Sequence, residues 1–335
     1  MSTNLGSGSS SPEFVKLLSI DGGGIRGLSS LVLLEQLMDN VNFLREQRGE
    51  RDVEPWEVFD MIGGCSTGGL IAVMLGRLRM SVAECKNAYI GLANKAFTPV
   101  NLLQNISAKA SLGPRFRTEF LESAIKDVIG EDWEHELLKE DRARCKVFVA
   151  AHIRDIDAPV CLRSYRNIRQ PSASLNRMLM WEACRATSAA QTFFDSIVVD
   201  GVNYSDGGLH YNNPVHLVHS EASNVFEGRQ QLIISLGTGK AGPEEFNPNL
   251  LTIAKQLARI ATDTEKAAND FARQRGGEDV RNNRYFRFNL ENNGKIGIEE
   301  AKKIRTIGVL TEQYLGMEEV SQKVRLCAEQ LALGA

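Results

Sequence analysis

The chain has 335 residues, 43% of them hydrophobic, and a formal net charge of −3. That length and composition allow one large globular domain or two small ones, with a sizeable core. The charge excludes a global pull toward nucleic acid or anionic lipid, and no apolar run approaches the length of a membrane span.

Six cysteines, at 65, 85, 145, 161, 184 and 327, are scattered without a C-x-x-C pair. With no signal peptide, they fit a reduced, cytoplasmic chain. Ser2 rules out the myristoylation pattern, and the terminal Leu333-Gly334-Ala335 lacks a prenylation cysteine. Membrane contact, if made, is expected to be peripheral.

Residues 1–12 are rich in Ser and Gly and are expected to form a flexible tail. Residues 13–335 are expected to form the working domain, with core motifs over 14–240 and a helical part over 245–335. Phe14 to Ile20 reads as a buried strand. It runs into Asp21-Gly22-Gly23-Gly24-Ile25-Arg26-Gly27, and a helix follows from Leu28 to about Leu44 with apolar residues at 31, 34, 37, 38, 41 and 44. A Gly-rich loop between a strand and a helix N-terminus favours an anion. In one reading it is an oxyanion hole, with Gly23 and Gly24 offering N–H groups and Arg26 nearby. Gly22, Gly24 and Gly27 also match the dinucleotide pattern G-x-G-x-x-G, but the acidic residue at the right spacing, Asp39, falls inside the expected helix.

Met61 to Leu70 contains Gly64-Cys65-Ser66-Thr67-Gly68, preceded by a short apolar piece and followed by the apolar run Leu70 to Leu75. Strand, sharp turn and helix with a serine at the apex make the context of a nucleophile elbow. Gly64 and Gly68 remove the side chains that would crowd the turn. Ser81 with Glu84 forms a capping-box pattern opening a helix to about Phe97. Residues 98–114 lack periodicity and carry apolar residues at 100, 102, 103 and 106, which suit a packed loop or a lipid-contacting lid.

Phe116 to Ile129 reads as a helix and Glu131 to Arg144 as a charged, mostly helical connector. Lys146 to Ala151 and Val160 to Tyr165 read as strands. Asp155 and Asp157 between them lack the remaining ligands of an EF-hand and read as a solvated turn. A helix is expected over Ser174 to Ala186, then a tight junction at Ala186-Thr187-Ser188-Ala189-Ala190. Ile197 to Asp200 reads as a strand, Tyr204 to Gly208 as a turn, and a helix starts near Pro214. Gln231 to Leu236 is a buried strand ending in Gly237-Thr238-Gly239-Lys240, which lacks the upstream glycine and hydroxyl of a P-loop. Beyond residue 245, helices are expected near 249–274 and 310–332, with a short strand at Tyr285 to Phe288. Arg273, Arg275, Arg281 and Arg284 read as a solvated basic face.

The histidines at 135, 152, 210, 216 and 219 do not fall in a late loop suited to a Ser-His-Asp triad. His216 and His219 lie on an expected helix without the H-E-x-x-H spacing of zinc enzymes. Asp206, before Gly207 and Gly208, is the best remaining partner for Ser66. A carboxylate is a weak base, yet it can take the serine proton when transfer is concerted with attack on a stabilised oxyanion.

Five motifs, at 21–27, 64–69, 186–190, 206–208 and 235–239, occur in the order seen in patatin-like phospholipases, and the chain resembles that family over roughly residues 14–240. The stretch from Trp56 to Arg79 is most similar to patatin-like domains of filamentous fungi, often the N-terminal part of larger proteins. The resemblance implies a three-layer α/β/α fold with a mainly parallel central sheet. It implies Ser66 as nucleophile, Asp206 as base, and an oxyanion hole from Gly22, Gly23 and Gly24. It further implies no metal or cofactor, and hydrolysis of glycerophospholipid esters through an acyl-enzyme. One departure is Gln191, where many members carry proline. The rival expectation is a catalytically silent or partner-gated lipid-binding module of a larger protein, with an oligomer or regulatory domain as partner.

Overall fold

The computed structural model describes residues 14–98, 116–168, 175–191, 193–240, 264–275, 281–291 and 296–333. The expected tail, the lid segment and the helical stretch 249–263 lie outside these residues. The first strand, β1 (Val15–Ile20), is buried throughout and leads through a 3-10 turn at Gly24–Arg26 into α1 (Gly27–Glu46). A short helix α2 (Pro55–Val58) precedes β2 (Met61–Cys65), and α3 (Thr67–Ala72) follows, continuing as a π-helical turn over Val73–Arg77. The capping box forms: Ser81 accepts from the Glu84 N–H and opens α4 (Val82–Ala96). Next come α5 (Thr118–Ile129), β3 (Lys146–Ile153), β4 (Ala158–Arg163), α6 (Met180–Thr187), β5 (Ile197–Val199), β6 (Val202–Asp206) and the one-turn α7 (Gly208–Tyr211). The remainder is α8 (Val215–Val225), β7 (Gln231–Leu236), α9 (Glu265–Gln274), β8 (Tyr285–Phe288), α10 (Ile304–Leu315) and α11 (Glu318–Ala332).

Among the described residues, eight strands form one sheet. β8, β7, β1, β2 and β3 are successive parallel neighbours, while β4, β5 and β6 join by antiparallel pairing. Strand alternation sends Leu18, Ile20, Ile62, Val147, Val149, Leu232 and Ile234 to one core, under α1 and α3. Val15, Leu17, Met61, Phe148 and Ile233 face a second core with Val215 and Val218 of α8 and Phe271 of α9. This is the expected three-layer α/β/α arrangement with a mainly parallel central sheet. The C-terminal part belongs to it: β8 extends the sheet, α11 packs on α1, and Lys16 Nζ donates to the Leu331 carbonyl at 2.8 Å. No helix among the described residues is long and apolar enough to cross a membrane.

One register positions the site. Phe148 to Ile153 of β3 pair with β4 along one edge. The opposite edge is shared, with β2 pairing Lys146 to Ala150 and β6 pairing Ala151 to Ile153. The C-terminal ends of β2 and β6 therefore meet nose to nose, Cys65 opposite Ala150 and Asp206 opposite Ala151.

Four expectations are corrected. Glu131 to Arg144 is not a helical connector: only a 3-10 turn forms, at Glu131–Trp133. Its backbone instead pairs with distant segments, Leu138 N–H to the Met178 carbonyl and Glu140 N–H to that of Ser164. Over Ser174 to Ala186, the described residues hold a 3-10 turn at Leu175–Arg177 before α6 begins at Met180. Tyr204 to Asp206 is strand rather than turn, because β6 pairs with both β3 and β5. The helix expected over 310–332 is two helices, broken at Gly316 and Met317.

A buried ion pair ties β4 to α8. Arg163 Nε and Nη2 lie 2.6 and 2.7 Å from the Glu221 carboxylate, which also accepts from the Tyr165 hydroxyl at 2.7 Å. Removing one partner leaves a buried guanidinium without its carboxylate. Glu221→Ala is expected to cost about 3–5 kcal/mol, measured as a fall in the urea midpoint, and Glu221→Gln to cost less.

Candidate functional site

Ser66 sits between β2 and α3 at φ 54° and ψ −126°, a conformation costly for any side-chain-bearing residue. Its surroundings hold it there. The Ser66 N–H donates to Thr187 Oγ1 at 2.9 Å, and that hydroxyl donates to the Ala150 carbonyl at 2.6 Å. The small-residue junction at 186–190 is thus a buttress for the turn. A Cβ on Gly68 would stand 2.2 Å from the Ile20 carbonyl oxygen, and one on Gly64 2.1 Å from the Gly68 carbonyl oxygen. Only glycine permits this approach of backbone to backbone.

Asp206 ends β6 and is 6% exposed. Its Oδ1 accepts from the Gly208 N–H at 2.7 Å and from Cys65 Sγ at 3.8 Å. Burial pushes its carboxyl up to about 6, opposed by hydrogen bonding from the Ser66 hydroxyl, the Gly208 N–H and the Cys65 thiol. Gly207 lies against the Ala150 and Ala151 backbone, where a Cβ would meet the Ala150 carbonyl carbon at 3.0 Å. Burial and the Asp206 charge push the Cys65 thiol well above its ordinary range, so it is protonated and a poor nucleophile.

The Gly-rich loop lies directly over the serine. A Cβ on Gly22 would stand 3.0 Å from Ser66 Cβ. The N–H of Gly22 is committed to the Asn212 carbonyl at 2.8 Å, and that of Gly23 reaches Thr67 Oγ1 at 3.2 Å. Gly24 takes φ 55°, and Tyr89 donates its hydroxyl to the Gly24 carbonyl. Arg26 is buried; its Nε donates to the Gly23 carbonyl at 3.4 Å, so it braces the loop from within. The Gly27 backbone lies against Tyr89.

The structure brings together Ser66, Asp206 and the Gly22–Gly24 loop, with Cys65, Thr67, Gly64 and Gly68 forming the turn and Gly207 and Gly208 supporting the acid. Several neighbours were given no individual role by the sequence. Thr187 and Thr238 lie inside the motifs at 186–190 and 235–239 and Asn212 outside them, but what each does shows only in the fold: the Thr238 hydroxyl donates to the Gly22 carbonyl at 2.8 Å. Arg287 of β8 is another: its Nη2 lies 2.6 Å from Asp21 Oδ2, at the root of the loop. Asp21 is fully buried and burial pushes it up to about 6, the Arg287 charge opposing. His216 and His219 pack their rings edge-on against Phe271, far from a ligand arrangement of their own.

A serine on a strained strand-to-helix turn, beneath a Gly-rich loop and beside a buried acid, defines an α/β protein with a nucleophile elbow. The family model described as patatin-like phospholipase matches residues 18–219, and the chain belongs to that family. Calcium-independent phospholipase A2-gamma of Mus musculus is 27% identical over 95% of this chain and 40% of its own length. Patatin-like protein 2 of Arabidopsis thaliana is 30% identical over 70% of this chain and 62% of its own length. Patatin-like phospholipase 1 of Plasmodium falciparum is 26% identical over 95% of this chain and 50% of its own length. The chain thus spans less than two thirds of each of these relatives.

The Asp206 environment has a measurable consequence. Its carboxyl titrates near 6 in the fold, against 3.8 for an ordinary aspartate. Ionisation is therefore disfavoured in the folded chain, so the stability contribution is complete below about pH 4 and lost as the pH rises through about 6. Asp206→Asn is expected to raise Tm over wild type by a few degrees at pH 8 and by much less at pH 4, read by differential scanning fluorimetry. An equal gain at both pH values would contradict a buried, raised carboxyl.

Proposed function

We propose that the chain is a metal-independent lipid acyl hydrolase of the phospholipase A type, working through Ser66 and Asp206. The observation that carries this reading is the meeting of β2 and β6 on one edge of β3, which sets the serine turn against the buried acid. The names of the relatives, phospholipase A2-gamma and patatin-like phospholipase, support a glycerophospholipid as substrate, and the first is named calcium-independent.

In the proposed reaction, Ser66 Oγ attacks the ester carbonyl carbon while its proton passes to Asp206. The carbonyl oxygen becomes an oxyanion under the Gly-rich loop. Of the glycines expected there, Gly22 is the least suitable donor, since its N–H is held by the Asn212 carbonyl at 2.8 Å; the Gly23 N–H must leave the longer 3.2 Å contact with Thr67 Oγ1 to serve beside Gly24. Collapse breaks the ester bond, and the leaving alcohol takes the proton from Asp206. Water, activated by the same carboxylate, then hydrolyses the acyl-serine. The whole of residues 13–335 acts as the catalytic domain in this reading, since Arg287 of β8 holds the root of the loop. Peripheral membrane contact is supported by exposed Ile156, Val198 and Leu209, all on elements bordering β6.

The test is hydrolysis of mixed-acyl phosphatidylcholine vesicles with a calcium chelator present and fatty-acid products identified by mass. Ser66→Ala and Asp206→Ala are each expected to lower kcat by at least about 10³-fold while keeping the wild-type circular dichroism spectrum. Release by the Ser66→Ala protein at the wild-type rate would overturn the nucleophile. No release by wild type as well as the variants would favour the partner-gated, lipid-binding alternative.

A pH profile of kcat/KM on a short soluble ester checks the base separately. Asp206 must be ionised to accept the proton, so activity is expected to fall as the pH drops through about 6. A profile flat down to pH 4 would exclude Asp206 as the base.

A further inference from the structure

Beyond the Ser66 site, one cluster of chemically able side chains is left unexplained. His152 near the end of β3, Asp157 in the turn before β4, and His210 on α7 each offer a ligand atom, all within 4.8 Å of one another. His152 is only 6% exposed. Its Nε2 lies 2.9 Å from Asp157 Oδ1, yet neither ring nitrogen has a hydrogen-bond partner among the described residues. The contact is close but off the N–H direction. The His210 ring stacks on His152 with centroids 5.2 Å apart, leaving the inner imidazole covered and without a donor or acceptor.

A buried imidazole with both nitrogens unsatisfied is costly unless something takes its lone pair. An ion pair with Asp157 alone would align the N–H with the carboxylate, and here it does not. A cation about 2.1 Å from each ligand atom needs ligand–ligand separations of roughly 3–4 Å. His152 and Asp157 stand at 2.9 Å and the three ligand atoms within 4.8 Å, so binding requires the exposed His210 ring to draw in. Two imidazoles and one carboxylate suit a borderline divalent cation such as Zn2+, and are poor ligands for Ca2+ or Mg2+.

We propose that His152, Asp157 and His210 form a site for a divalent transition cation of the zinc class, and that its occupation slows turnover at Ser66. The coupling rests on the function proposed above; the binding does not. His152 directly follows Ala151, the β3 partner of Asp206. His210 lies one helical turn past Asp206, and its N–H donates to the Gly207 carbonyl at 3.0 Å, beside the Gly208 N–H that holds the Asp206 carboxylate. Asp155 of the Asp157 turn accepts from the Asn203 N–H of β6 at 2.8 Å. A cation bridging the three side chains pins α7 and the β3–β4 turn together around β6.

The full chain, stripped with a chelator, is titrated with Zn2+ by isothermal calorimetry, with Ca2+ and Mg2+ run in parallel. The Ser66→Ala protein serves here as well, so binding is read without turnover. One equivalent of Zn2+ is expected to bind, with no matching heat from Ca2+ or Mg2+. Asp157→Asn and His210→Ala, both at exposed positions that spare the buried His152, are each expected to weaken binding at least 10-fold. His216→Ala, which alters the other close histidine pair, is expected to bind as wild type. Equal Zn2+ affinity in wild type, Asp157→Asn and His210→Ala would overturn the site, as would absence of binding by wild type. In vesicle hydrolysis, Zn2+ is expected to slow wild type several-fold and to leave His210→Ala unaffected. Binding at the three residues with no change in rate would overturn the coupling alone. An inactive wild type would count against the proposed hydrolase and leave the calorimetric result standing.

Discussion

The Ile20 carbonyl oxygen lies 2.2 Å from where a Cβ on Gly68 would stand, and a Cβ on Gly22 would stand 3.0 Å from Ser66 Cβ. This contact of β1, its loop and the β2–α3 turn is the constraint on which the site depends. It fixes Ser66 at a positive φ, a conformation that only an over-determined environment sustains. Thr187 supplies that environment from α6 by accepting the Ser66 N–H. The parallel pairing of β1 with β2 supplies it from below, Ile20 opposite Gly64. Relaxation of the turn would require the sheet itself to shift.

The same closeness keeps water from the two aspartates at the site. Asp206 and Asp21 are both pushed up to about 6 by burial, and only Asp21 has a cationic partner at contact distance. That partner comes from far along the chain. Arg287 reaches Asp21 from β8, and also holds Ser235, Thr264 and Glu265. Asp21 Oδ1 remains without a hydrogen-bond partner among the described residues, which fits a carboxyl that gives up its proton reluctantly. The C-terminal part of the chain, which carries no recognisable motif, thereby sets the root of the Gly-rich loop.

Much of this was legible in the sequence wherever local pattern and tertiary role agree. β1, β2 and β7 are mostly apolar runs that each lead into a Gly-containing turn, and Ser81 with Glu84 announces α4. Legibility failed where distant pairing decides the backbone. Tyr204 to Gly208 reads as a turn, yet two neighbouring strands make Tyr204 to Asp206 part of a strand. A signal was present one step earlier: Asp200 and Gly201 both take positive φ and close a tight hairpin, as an Asp-Gly pair between strands foretells. Likewise the charged run 131–144 carries helix-forming residues, but its N–H groups at Leu138 and Glu140 donate to the carbonyls of Met178 and Ser164. The members of the site were visible as motifs. Two of their supports, Asn212 and Arg287, were not, because a single polar residue acquires meaning only from what the fold brings to it.

In the reaction proposed above, the base is an aspartate and not a histidine. An aspartate at its ordinary value of 3.8 is a reluctant acceptor for a serine proton, and one near 6 holds a proton roughly a hundredfold more strongly. Burial supplies that difference, and a buried carboxylate has a cost to the fold that the surrounding pairing must offset. Here the offset is local: β6 pairs along β3, and Asp206 receives the Gly208 N–H and donates its own N–H to the Ala189 carbonyl. Gly207, next to the acid, packs so closely that a Cβ on it would stand 3.0 Å from the Ala150 carbonyl carbon. The acid therefore fits a site built from backbone contacts, and its basicity comes from the same dense packing that strains the serine.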